Sequence, residues 1–168
     1  MKIKVCGITR EEDIAELLLA GVDFIGFNFI KSSPRYIDIN WAVNIINKYN
    51  IQKKVVPLCE ISDLKTVHHK LKNLDLPFYQ IYKVHDSSNQ IEKFNLNYFL
   101  PTSATKLKQN IDNNLFIGNK DKYLLDNFDH GLGGSGIKFN WNDLANIKLE
   151  NCMIAVSYTH LTLPTSSV

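Results

Sequence analysis

The sequence predicts an α/β protein in which parallel strands are covered by helices. Short apolar runs of β-type alternate with helix-patterned segments along the whole chain, and such alternation builds a parallel sheet because each return to the next strand passes through a helix. Residues that carry chemistry recur where a strand run ends, the end at which parallel α/β proteins bind ligands.

The elements follow in order. Residues 2–6 form the first strand. Thr9 can cap the next helix, with Glu11, Glu12 and Asp13 in its first turn, Ile14, Leu17 and Leu18 on its apolar face, and Gly21 closing it. Residues 23–29 are the second strand, and the loop 31–35 follows. A helix over about 40–49 leads to a third strand at 54–58, where Pro57 removes a ladder donor and is expected to distort the strand. Ser62 can cap a helix to about residue 73. Residues 78–82 and 97–100 are the fourth and fifth strands. A weak helix at 106–113 and a sixth strand at 122–126 come next. A glycine loop, a short helix near 141–147 and a seventh strand at 151–156 complete the pattern.

Two architectures share this alternation, the closed barrel and the open doubly wound sheet. The number of units favours the TIM (β/α)8 barrel, in an incomplete form with about seven strands and the last βα unit missing. Barrels of this class run to about 200 residues or more, and this chain has 168. Exposed edges are expected at the first and seventh strands. The domain is placed at 1–155, with 156–168 a non-native or irregular tail. That tail abruptly lacks the Lys, Asn, Asp and Glu that fill the preceding chain, and its phrase SYTHLTLPT resembles translated sequencing-adaptor sequence.

Composition narrows the function. Hydrophobic residues make up 45% and charged residues 21%, which suits one ordinary globular domain. The net charge of +2 comes with singly scattered lysines, which argues against nucleic acid. No apolar run reaches the roughly 18 residues of a membrane span, and the N-terminus reads as a strand rather than a signal peptide. The three cysteines, Cys6, Cys59 and Cys152, form no CxxC, so a disulfide scaffold is not expected and a reducing cytoplasm is. Adjacent His68 and His69 on a helix point about 100° apart, the wrong spacing for a metal.

Cys6 ends the first strand, before Gly7 and a helix start. A thiolate there is a candidate base, against the commoner fate of a buried, inert cysteine. Asp126 ends the apolar run Tyr123-Leu124-Leu125. It can donate a proton if kept protonated, or simply cap a loop. A closed barrel brings these two distant residues to one rim, where acid and base suit a proton-transfer isomerisation. Arg35, in Ser33-Pro34-Arg35-Tyr36, offers a fork for a carboxylate, against a solvated surface arginine. The segment Gly131-Leu132-Gly133-Gly134-Ser135-Gly136 matches GxGxxG, but the strand-turn-helix context of a dinucleotide site is missing. It reads instead as an active-site loop in which Gly133 and Gly134 allow close approach of substrate.

Together these segments resemble the phosphoribosylanthranilate isomerases. The resemblance runs through Lys4-Val5-Cys6-Gly7-Ile8-Thr9-Arg10, residues 20–27, residues 31–36, Leu124-Leu125-Asp126 and residues 133–141, and covers about residues 2–155. It implies conversion of N-(5-phosphoribosyl)anthranilate to 1-(2-carboxyphenylamino)-1-deoxyribulose 5-phosphate by an acid-base Amadori rearrangement in tryptophan biosynthesis. In that reaction Asp126 would be the general acid, Cys6 the general base and Arg35 the holder of the anthranilate carboxylate. No metal or organic cofactor is implied. The expected partner is a small phosphorylated substrate, with no nucleic acid and no membrane, and the protein is a monomer or homodimer.

The chain also departs from the family pattern. Gln80-Ile81-Tyr82-Lys83 stands where the family has Q-L-H-G, with Tyr82 in place of the histidine, and the third strand lacks the usual G-V-F. The glycine phrases that hold the family's phosphate, after the last two strands, are not found in this chain. Impaired activity is therefore expected. The alternatives are a non-catalytic barrel fragment and another sugar-phosphate isomerase.

Overall fold

A strand order that begins and ends on neighbouring pieces of chain sets the architecture. In the computed structural model, which describes residues 3–82, 91, 93–103, 123–125, 152–154 and 156–157, the strands are β1 (Lys4–Cys6), β2 (Phe24–Asn28), β3 (Val55–Glu60), β4 (Tyr79–Tyr82), β5 (Tyr98–Thr102), β6 (Tyr123–Leu125), β7 (Cys152–Ile154) and β8 (Val156–Ser157). They form one sheet in the order β7-β6-β5-β4-β3-β2-β1-β8, and every pairing is parallel. β7 and β8 stand at opposite ends of that order, yet only Ala155 separates them in sequence. Residues two apart lie within about 7 Å of each other, so the two ends of the sheet must meet.

This is the incomplete (β/α)8-type barrel expected, with seven strand runs among the described residues, the last split into β7 and β8. The expectation of exposed edges at the first and last strands is corrected. β7 pairs with β6 from Tyr123↔Cys152 to Leu125↔Ile154, and β8 pairs with β1 at Val5↔Val156 and Cys6↔Ser157. One continuous stretch of chain thus serves both neighbours in turn. Distortion at Pro57 is corrected as well: β3 runs through it, paired in register with Phe27.

The two faces of the sheet have separate cores, as a barrel requires. Val5, Ile25, Phe27, Val55, Cys59, Tyr79 and Ile81 belong to an outer layer packed against helices. Val56, Leu58, Phe78, Tyr82, Phe99 and Leu124 form the inner cluster, with Cys6 and Phe24 against it. Alternation along each strand sorts the residues between them. The same alternation turns Lys4 and Cys6 inward on either side of outward Val5.

Three helices of the outer layer are described. α1 (Glu11–Leu19) buries Asp13, Ile14 and Leu17. Its N-cap is Arg10 rather than the expected Thr9, with no side-chain cap bond; Arg10 instead pairs with Asp13 one turn on. Its end is as expected. Gly21 takes φ +72°, its N–H bonds to Leu18 O, and Val22 N–H reaches back to Leu17 O, the paired bonds of a Schellman motif. α2 (Ile39–Tyr49) is capped by Asp38, whose carboxylate accepts from the N–H groups of Asn40 and Trp41, and it ends on Asn50 at φ 53°. α3 (Leu64–Leu71) buries Leu64, Val67 and Leu71. Ser62 does not cap it: a 3-10 turn, Ile61–Asp63, intervenes and Asp63 becomes the N-cap. The weak helix at 106–113, the glycine loop and the helix near 141–147 lie outside the described residues. No helix of the described residues is long and apolar enough to cross a membrane.

Asp38→Ala removes the acceptor for two N–H groups at the start of α2. It should cost about 1 kcal/mol of stability, read as a lower denaturation midpoint with an unchanged slope.

Candidate active site

Because all strands run the same way, their C-terminal ends share one rim. Cys6 ends β1, Asn28 ends β2 and Tyr82 ends β4. Asp126 is the residue after β6 and lies outside the described residues, as do Gly133 and Gly134.

Cys6 is half-buried and free, and its sulfur faces the barrel interior. Its neighbour across the β1–β2 ladder is Gly26. A Cβ added to Gly26 would lie 2.6 Å from Cys6 Sγ, 3.2 Å from Cys6 Cα and 3.1 Å from Leu58 Cδ1. The absence of a side chain at position 26 is what gives the thiol its space.

Arg35 is brought to the same place by a short, tightly tied loop. At the end of β2, Asn28 Oδ1 accepts from Ile30 N–H at 2.9 Å, and Asn28 Nδ2 donates to Ser33 Oγ at 2.9 Å. Ser33 Oγ also accepts from Arg35 N–H at 3.2 Å. The chain then returns, with Ile37 N–H bonded to Asn28 O. The result lays the Arg35 side chain over Gly7, which adopts φ +82°. A Cβ at Gly7 would overlap the Arg35 stem and come within 3.2 Å of its Nε and 3.4 Å of Nη1. Of the proposed site residues, Cys6 and Arg35 therefore come together, the guanidinium resting on the residue next to the thiol.

Three further residues were not singled out from sequence. Lys4 is 1% exposed, and its Nζ contacts Cys6 Sγ at 2.6 Å and Gln80 Oε1 at 2.5 Å. Gln80 is also buried, and its Nε2 donates to the Tyr82 hydroxyl. β1 and β4 are not neighbours in the sheet, so the Lys4–Gln80 bond crosses the barrel interior. The available signal was the i, i+2 spacing of Lys4 and Cys6, which puts both on one face of a strand. Asn28 is the third, tying down the loop.

The other described thiol contrasts with Cys6. Cys59 is wholly buried in the outer layer, and burial, with the Asp63 and Glu60 carboxylates adding, pushes it up to about 12. It is a neutral, inert thiol at ordinary pH. Among the described residues no group of three or more His, Cys, Asp or Glu side chains is placed to hold a metal ion.

The profile of the family described as "PRAI: N-(5'phosphoribosyl)anthranilate (PRA) isomerase" matches residues 3–157. The "Tryptophan biosynthesis protein TrpCF" of Buchnera aphidicola subsp. Baizongia pistaciae is 36% identical, over 90% of this chain and 32% of that protein. The "N-(5'-phosphoribosyl)anthranilate isomerase" of Dechloromonas aromatica is 31% identical, over 83% of this chain and 67% of that protein. The chain thus spans about a third of the length of the TrpCF proteins it matches. The crystal structure of phosphoribosyl anthranilate isomerase from Thermotoga maritima superposes with a TM-score of 0.72 at 19% identity, covering 94% of this chain and 77% of that one. That likeness concerns the fold.

Two measurements check the local geometry. Gly26→Ala overpacks the β1–β2 contact and should destabilise by about 1–3 kcal/mol, seen in a denaturant melt. Iodoacetamide at neutral pH should label Cys6 in the folded protein and leave Cys59 unmodified until unfolding, as read by peptide mass spectrometry. The sign follows from burial favouring the neutral thiol of Cys59.

Proposed function

The chain belongs to the N-(5'-phosphoribosyl)anthranilate isomerase family, and on that footing we propose that it is an isomerase converting N-(5-phosphoribosyl)anthranilate to 1-(2-carboxyphenylamino)-1-deoxyribulose 5-phosphate. Asp126 gives a proton to the furanose ring oxygen, which opens the ring to a protonated Schiff base. Cys6, as thiolate, takes the proton from C2′. The electron pair of that C–H bond flows to the Schiff-base nitrogen, and tautomerisation of the resulting enolamine yields the ketose. Arg35 binds the anthranilate carboxylate, and Gly133 and Gly134 let backbone approach the substrate. The reaction only moves protons, so neither a metal nor an organic cofactor is called for.

The observation that carries this reading is the meeting of Arg35 and Cys6 at the C-terminal end of β1, with the guanidinium lying over Gly7. An anion held there sits beside a sulfur able to act as base. The strand order adds support for Asp126. Only the 152–157 stretch lies between β6 and β1, so the ends of β1 and β6 are about 10 Å apart at the usual strand spacing, a span that suits a pentose between acid and base.

The remaining parts of the proposal follow the reaction. The partner is a small phosphorylated substrate, not nucleic acid or membrane, and the protein acts in the cytoplasm as a monomer or homodimer. The barrel domain is proposed over residues 1–155, with Val156 and Ser157 joined to the sheet through β1.

Loss of the substrate's fluorescence follows turnover directly. Cys6→Ala and Asp126→Asn should each lower kcat by about 10²–10⁴-fold relative to the unsubstituted chain, while Arg35→Met should mainly raise KM. Turnover equal to the unsubstituted chain in both Cys6→Ala and Asp126→Asn would falsify the proposal.

A further inference from the structure

The barrel interior holds an ammonium group that is almost completely removed from water. Lys4 is 1% exposed and makes no ion pair with a carboxylate among the described residues. Its contacts are Gln80 Oε1 and Cys6 Sγ. A buried charge without an opposite charge is strongly unfavourable, and a carboxamide oxygen supplies only a dipole. Of these two contacts, only the sulfur can become an anion, because a thiol loses its proton and an amide does not.

The hydrogen bonding has a single consistent direction. Lysine is a donor only, so the Gln80 atom facing it must be the carbonyl oxygen. The Gln80 NH2 then faces Tyr82, and the Tyr82 oxygen accepts from it. Lys4 thereby fixes which end of Gln80 it meets, and Tyr82, at the position where the chain departs from the family phrase, accepts from the other end. Strand geometry fixes the rest. Lys4 and Cys6 are inward neighbours on β1, and Gln80 and Tyr82 are inward neighbours on β4.

We propose that Lys4 is the positive counter-charge of the Cys6 thiolate, held in place by Gln80, whose amide group also reaches Tyr82. The inference rests on the reading of Cys6 as the base. In the proton-transfer step, Sγ takes the C2′ proton and becomes a neutral thiol, while Lys4 keeps its own protons throughout. Lys4 is thus a positioning residue that acts through the sulfur. It also explains why a cation sits at the first residue of β1, facing the interior.

The test reads the sulfur itself and needs no substrate. The rate of iodoacetamide alkylation of Cys6 in the 168-residue chain is followed across pH by peptide mass spectrometry, with circular dichroism as the check on folding. Lys4→Met should slow alkylation at neutral pH by about tenfold, and Lys4→Arg should restore it. Gln80→Glu should slow it as well, because the new carboxylate competes for the ammonium. A Lys4→Met protein that is folded and keeps the unsubstituted profile overturns the proposal. If Lys4→Met does not fold, the same unchanged profile in Gln80→Glu overturns it. Failure of the broader reading looks different: Cys6→Ala would then turn over substrate at the full rate, whatever the alkylation profiles show.

Discussion

Everything at the rim depends on the uniform direction of the strands and on the meeting of the sheet's two ends. Parallel pairing throughout puts the last residue of every strand on the same side. Joining those ends through residues 152–157 turns a row into a ring. Without that join, β1 would be an edge strand, its unpaired N–H and C=O groups open to solvent or another chain. Cys6 would then sit at a margin. With it, Cys6 has Gly26 on one flank and Ser157 on the other.

That closure is what makes a buried lysine possible and consequential. In an open sheet the long stem of Lys4 would carry its ammonium group out to solvent. Here the side chain is almost wholly buried, and its ammonium group meets Gln80 Oε1 and Cys6 Sγ. The same enclosure assigns the two described thiols different chemistry on one sheet. Cys6 looks inward at a cation. Cys59 looks outward into a dry layer of aliphatic and aromatic side chains, where only its neutral form is comfortable.

How much of this was legible in the sequence divides along local and non-local lines. The alternation of elements among the described residues, the turn of chain at Gly21 and the bounds of α2 rest on signals contained in a few consecutive residues, and they read correctly. Caps read less well, because they compete with their neighbours. Thr9 has the right chemistry, yet the helix begins one residue later, where Arg10 reaches Asp13. Ser62 likewise yields to a 3-10 turn that no short pattern announced. The site divides the same way. Cys6 and Arg35 could be singled out because strand ends and proline-bounded loops are visible in sequence. Nothing local marks Lys4 as buried, since its burial exists only once the ring has closed. The reason for Gly26 lies in a register with a residue twenty positions earlier.

The loop that carries Arg35 has one more implication. Its backbone is tied to the end of β2 through Asn28 and Ser33, and its guanidinium stem rests on a residue with no side chain to displace. An arginine is usually among the most mobile groups on a surface, and clamping one on an incoming anion forfeits that freedom. Here much of the forfeit was made when the polypeptide folded. In the role proposed for Arg35, a carboxylate arriving at the rim would meet a fork already held in place, and its affinity would be eroded less by entropy than a floppy arginine would allow.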